Sequence, residues 1–191
     1  MDSGFQPAGR APAPPPLDLV QDFVNTEITE WARDDIATPA LLEDWLRERR
    51  LLAAGESVSA ADFVAARELR AALRRLALLN NVGEIPDEEL RRSLRRALSA
   101  AELRVEIDDR GRLVPVGAGA GAERALSSIV AVVLEAEGSG SWRRLKACRK
   151  ESCGWLFYDA SRNNSSSWCS MSICGNRVKT AAYRRRRRAT S

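Results

Sequence analysis

All four cysteines of this 191-residue chain lie in its last 44 residues, in two matching units. Cys148-Arg149-Lys150-Glu151-Ser152-Cys153-Gly154 and Cys169-Ser170-Met171-Ser172-Ile173-Cys174-Gly175 each read C-x4-C-G, with 15 residues between Cys153 and Cys169. Two thiolates on a tight turn supply two corners of a tetrahedron, and a second turn supplies the rest; four-thiolate coordination at about 2.3 Å suits Zn²⁺. The glycine after each pair is expected to permit a tight bend, with nearby N–H groups turned toward the sulfurs. Four thiolates on one Zn²⁺ leave a local charge of −2, and Arg149, Lys150 and Arg177 are near enough in sequence to offset it. Disulfides and an iron–sulfur cluster draw on the same residues. Residues 1–16 lack the basic then apolar pattern of a secretory leader, which counts against disulfides. The symmetric spacing favours zinc over iron–sulfur. The expected cofactor is one structural Zn²⁺ in a closed site, held by Cys148, Cys153, Cys169 and Cys174.

The chain has no histidine. That excludes Ser-His-Asp and Cys-His catalytic arrangements and any histidine-ligated metal. No nucleophile–base pair and no phosphate-cradling glycine loop is visible, so the chain is not expected to be an enzyme. Asp108-Asp109 is explained by a hairpin turn.

The charge is unevenly divided. From Trp142 to Ser191 there are 13 Lys/Arg against two Asp/Glu, a net of +11, and the preceding residues carry −7. The basic end suits a polyanion and the acidic body does not. Arg184, Arg185, Arg186, Arg187 and Arg188 form a run that cannot pack into a core and suits phosphate. With them, Arg162, Asn163, Asn176, Arg177 and Lys179 are the expected nucleic-acid contacts, since Arg reads guanine and Asn reads adenine. For Asn176 and Arg177, a supporting role beside the zinc ligand is the competing reading. Trp155 and Trp168 read as module core more than as platforms for stacked bases.

The elements that must position these residues are mainly helical. Residues 1–16, rich in Ala, Gly and Pro, read as a disordered arm. Residues 17–138 read as a helical domain. Leu17, Val20, Val24 and Ile28 recur at helical spacing. Thr38-Pro39 opens a second helix, with Gly55 as its stop. Ser59 and Asp62 form a capping box for a long third helix, and Pro86 opens a fourth whose Arg91, Arg92, Arg95 and Arg96 form a solvated face. Leu103–Ile107 and Arg112–Val116 alternate as a β-hairpin. A flexible run, Gly117–Gly121, leads to a buried helix closed by Gly138-Ser139-Gly140. Asn25 and Thr26, polar on an apolar helix, are candidates to line a ligand pocket, with helix–helix or backbone hydrogen bonding as the favoured competing reading. Residues 142–184 read as a small α+β zinc-binding module, treble-clef-like, and 185–191 as a basic tail. No run reaches the ~20 apolar residues of a membrane span, and a cytoplasmic place is expected.

Cys174-Gly175-Asn176-Arg177 spells CGNR. Together with Cys148-x4-Cys153-Gly154-Trp155-Leu156-Phe157, Asp159-x-Ser161-Arg162-Asn163 and Trp168-Cys169-Ser170-Met171, it resembles the CGNR zinc finger over about Leu145 to Arg184. In that family the finger follows a region called the ABATE domain. Leu19–Thr26 and Thr38–Leu46 resemble its opening segments. The resemblance implies zinc and a stress-related bacterial transcription regulator. It leads to the expectation of a zinc-dependent protein that binds duplex DNA, whose helical domain dimerises or senses a small-molecule effector. RNA or ribosome binding, and a thiol-redox or protein-interaction role, are the alternatives.

Overall fold

The structure, a computed structural model, describes residues 6–189. The first helix, α1 (Leu17–Asn25), runs directly into a two-stranded ribbon, β1 (Glu27–Ile28) and β2 (Arg33–Asp34). Helix α2 (Pro39–Glu48) begins where Thr38 accepts a hydrogen bond from the Leu41 N–H at 3.2 Å, with Pro39 in the first turn. That is the expected start, since proline lacks a donor the first turn would waste. The helix ends at Glu48, well before Gly55, and the chain turns at Arg50, whose φ is 58°.

Helix α3 (Ala60–Val82) opens on the capping box: Ser59 accepts from the Asp62 N–H at 3.1 Å and the Asp62 carboxylate accepts from the Ser59 N–H at 2.9 Å. Helix α4 (Glu88–Leu98) is capped by Asp87 rather than started by Pro86, and its Arg91, Arg92, Arg95 and Arg96 are all exposed. The hairpin of β3 (Leu103–Ile107) and β4 (Leu113–Gly117) follows, and Asp108 organises its turn by accepting from the Arg110 and Arg112 N–H groups. Gly117 is packed and not flexible: a Cβ there would lie 2.5 Å from the Ser128 nitrogen of α5 (Gly121–Ser139). Helix α5 ends at Gly140, whose φ of 76° suits glycine.

The core forms where α1, α3 and α5 bring together Val20, Phe23, Val24, Leu69, Leu73, Ile129 and Val133. It does not stop at residue 138. Trp142, Leu145, Ala147 and Leu156 belong to the same cluster, and Leu145 and Leu156 have no exposed surface. Fully burying one such side chain contributes about 1.5–3 kcal/mol, so the C-terminal segment draws stability from the helices. That segment comprises a hairpin of β5 (Leu145–Ala147) and β6 (Leu156–Tyr158), and α6 (Asn176–Ala189).

The expectation of a disordered N-terminal arm fails for residues 6–16. Gln6, Pro7 and Ala13 are buried. Gln21 of α1 accepts from the Ala13 N–H at 2.6 Å and donates to Gln6 at 2.9 Å. A segment poor in apolar side chains is thus ordered by buried amide hydrogen bonds, whose loss would leave each polar group unpaired. The remainder of the expected arm, residues 1–5, lies outside the described residues.

Candidate metal centre and basic face

The first cysteine pair occupies the turn between β5 and β6, with Cys148 immediately after β5. Of the second pair, Cys169 precedes and Cys174 lies within a wide helical turn, Met171–Gly175, that runs straight into α6. The order of knuckle, hairpin and helix is the one expected, except that the knuckle lies within the hairpin. All four cysteines are buried, and their sulfurs lie within 4.8 Å of one another. Cys153 and Cys169 are 3.7 Å apart, and Cys169 and Cys174 3.5 Å. A regular tetrahedron with Zn–S near 2.3 Å has sulfurs about 3.8 Å apart, so the cage fits one Zn²⁺. Burial pushes the Cys174 thiol up, and Cys148 beside it adds to the rise. Four adjoining thiols cannot all ionise without a cation; a Zn²⁺ supplies it. The N–H groups of Lys150 and Cys169 are directed at the Cys148 sulfur and that of Trp155 at Cys153, as the knuckle turns lead one to expect.

The two glycines serve different ends. Gly154 has φ +59°, a conformation that costs other residues. Gly175 is needed for space: a Cβ there would lie 2.6 Å from the Met171 sulfur and 3.1 Å from the Trp168 ring. Trp155 is buried and donates to Gln6 at 3.2 Å, so it is core and offers no stacking face.

Polar side chains of the helical part hold the backbone of the metal module. Asn25 accepts from the Leu156 N–H at 2.8 Å and donates to the Leu156 carbonyl at 2.9 Å; Gln21 donates to the same carbonyl at 3.1 Å. Asn80 donates to Trp142 and Leu145, and Asn81 to Ala147 and Ser167. Thr26 donates to the Phe23 carbonyl and accepts from Arg70 at 3.0 Å. Asn25 and Thr26 therefore have protein partners, which is the hydrogen-bonding reading of these two residues and not the pocket. A small open cleft lies elsewhere, between α3 and α4, beside Arg75 and Arg96.

The module's cations divide by partner. Lys146 is buried and reaches Asp159 at 2.9 Å and the Asn164 carbonyl at 2.6 Å. Burial opposes ionisation of Asp159, but Lys146 and the Ser161 and Ser166 groups outweigh it and hold the carboxyl far below its usual range. Arg144 binds the Asp159 and Ser161 carbonyls at 2.9 Å, and Arg149 donates to the Asn81 carbonyl. Lys150 and Arg177 both reach Glu30, in the turn between β1 and β2. Those two cations are thus held by a carboxylate as well as standing near the sulfur cage.

Arg143, Arg162, Asn163, Asn176 and Lys179 are exposed, with no side-chain hydrogen bond or ion pair among the described residues. Arg143 was not singled out by sequence. It adjoins the Arg162–Asn163 loop, because Asn164 donates to the Arg143 carbonyl at 3.3 Å. Arg187 is exposed on α6, whereas the side chains of Arg184, Arg185, Arg186 and Arg188 lie outside the described residues. Arg177 remains 62% exposed despite its bond to Glu30, so it can face solvent and ligand at once.

A closed four-thiolate module, packed into the core of a helical domain and carrying exposed cations, is a zinc-finger module. The family comparisons agree. Residues 144–187 match the CGNR zinc finger. Residues 17–137 match the ABATE family, described as "Putative stress-induced transcription regulator". The chain belongs to that family, and its cofactor is a structural Zn²⁺. No curated protein matches it. Among the described residues no helix is long and apolar enough to cross a membrane.

Proposed function

We propose that this chain is a zinc-dependent regulator that binds duplex DNA through the exposed face of its C-terminal module. The observation that carries the reading is the division of the module's cations. Lys146, Arg144 and Arg149 are engaged by the fold, while Arg143 and Arg162 face solvent by the loop that carries Asn163, and Lys179 and Asn176 are exposed on α6. A surface carrying both kinds of group can position on phosphate and read base edges. The zinc holds this surface in shape and takes no part in chemistry, since four thiolates leave no open coordination position. The reading is of a binding protein and not an enzyme, acting in the cytoplasm. The helical part pairs two copies or senses a signal.

RNA binding is the second reading, because a basic face serves either polymer. Burial of Trp155 weighs against it by removing one stacking platform. Competition for the zinc-loaded protein between duplex DNA and structured RNA of equal length tests the choice. Tighter binding to the duplex, abolished by a chelator, is expected. Preference for RNA would overturn the DNA reading.

A further inference from the structure

We propose that two copies of this chain join through the outer edge of β3, pairing Leu103–Ile107 with the same strand of the second copy in antiparallel fashion about a two-fold axis at Val105. This deepens, and rests on, the reading that the helical part pairs two copies.

Strand β3 belongs to a two-stranded sheet, and all five of its residues are exposed. The ladder shows which groups face outward. Asp108 donates to the Arg112 carbonyl at 2.9 Å, and Ala118 donates to the Glu102 carbonyl at 2.8 Å. Hydrogen-bonded and non-bonded pairs alternate along an antiparallel ladder, so even-numbered residues of β3 bond inward to β4. Leu103, Val105 and Ile107 then present their N–H and C=O groups to the free edge. Val105 is 67% exposed and Ile107 71%. Unprotected apolar edges of this kind template pairing with another chain.

The opposite edge is blocked. Val105 stands across from Pro115, and in that register the Pro115 nitrogen faces the outer side of β4, where it has no hydrogen to give. Of the hairpin's two edges, β3 alone can accept a full strand.

The sequence Leu103-Arg104-Val105-Glu106-Ile107 is self-complementary. About an axis at Val105, Leu103 opposes Ile107 of the second copy and Val105 opposes its own equivalent. Arg104 opposes Glu106 of the second copy, twice by symmetry. Arg104 already bonds Glu106 within its own strand at 2.8 Å, so both charges lie on the same face. Opposite charges directly across a strand pair are favourable and like charges are not. An isologous interface needs a surface complementary to itself, and this strand has one.

The test is sedimentation equilibrium on the full zinc-loaded chain and three variants. Arg104→Glu places like charges across the axis and is expected to weaken the dimer about tenfold or more, as is Glu106→Arg. The double variant Arg104→Glu/Glu106→Arg restores the complement and is expected to return to the parent affinity. Val105→Pro removes an outward N–H that no intramolecular bond uses, and is expected to give a folded monomer. Circular dichroism of each variant confirms the fold. A parent dimer unmoved by all these changes would overturn the β3 edge but leave dimerisation standing. A parent that stays monomeric at about 100 µM would overturn both.

Discussion

Asn25 bonds both the N–H and the carbonyl of Leu156, so a side chain of α1 completes the outer edge of β6 as a neighbouring strand would. This clasp makes the helical domain and the metal module one packed unit. Replacing Asn25 by Ala leaves the Leu156 N–H without a partner in a buried place. The expected cost is about 2–3 kcal/mol, read as a lowered urea midpoint of the zinc-loaded protein. A loss within a few tenths of a kcal/mol would mean that the clasp is replaced by water.

Shared packing also governs what zinc removal does. Leu145, Ala147 and Leu156 reach the main core from strands that flank the first knuckle. Chelation, or Cys169→Ser, is therefore expected to release the metal and lower the melting temperature of the helices along with the module. Helix melting followed by far-ultraviolet dichroism checks this; an unchanged helical transition would show two independent units.

Acid should act through Asp159. Its carboxyl is held below the usual range in the fold, so its contribution is fully present above the unfolded value near 4 and lost as pH falls below it. Asp159→Asn leaves Lys146 buried without its counter-charge. The expected loss is about 3–5 kcal/mol at pH 7, with a weaker dependence of stability on acid below pH 4. Unfolding midpoints of the two proteins measured from pH 7 to pH 3 check both parts.

Gly175→Ala should be costly for a reason unrelated to backbone angle, because the added methyl meets the Met171 sulfur and the Trp168 ring. A loss of about 1–3 kcal/mol is expected, partly recovered by adding Met171→Ala. Absence of recovery would indicate that the Trp168 contact is the limiting one.

Much of this architecture was legible in local sequence. Thr38-Pro39, the Ser59–Asp62 box, the Asp108 turn and the C-x4-C-G units each depend on residues a few positions apart. What escaped depends on distant partners. Arg70 is one of several arginines on α3, and nothing local separates it from Arg67. Yet it is buried with its fork on Asp34, at 2.7 and 2.8 Å. Gln6 and Arg10 look like part of a disordered arm until their partners, Gln21, Trp155 and the Cys169 carbonyl, are placed beside them. For Asn25 the sequence left pocket and protein partner both open for the same reason: its partner lies 131 residues further along the chain. The β1–β2 ribbon is too short to show alternation at all.

Basic residues of the module should separate into two groups on substitution. Arg143→Ala and Arg162→Ala are each expected to weaken duplex binding and to lower the slope of log affinity against log salt by about 0.9 per lost phosphate contact, with the fold unchanged. Arg149→Ala is expected to act mainly on stability. Equal effects from all three would show that the face is a diffuse cationic surface.

The most direct measurement is selection of the zinc-loaded protein against a pool of duplex fragments from its own genome, at several salt concentrations, with structured RNA as competitor. Enrichment of a few sites that survives moderate salt and vanishes with chelator is expected, and a two-fold dimer requires those sites to carry inverted repeats. Weak binding erased by salt, or capture by the RNA, would contradict a sequence-specific DNA regulator.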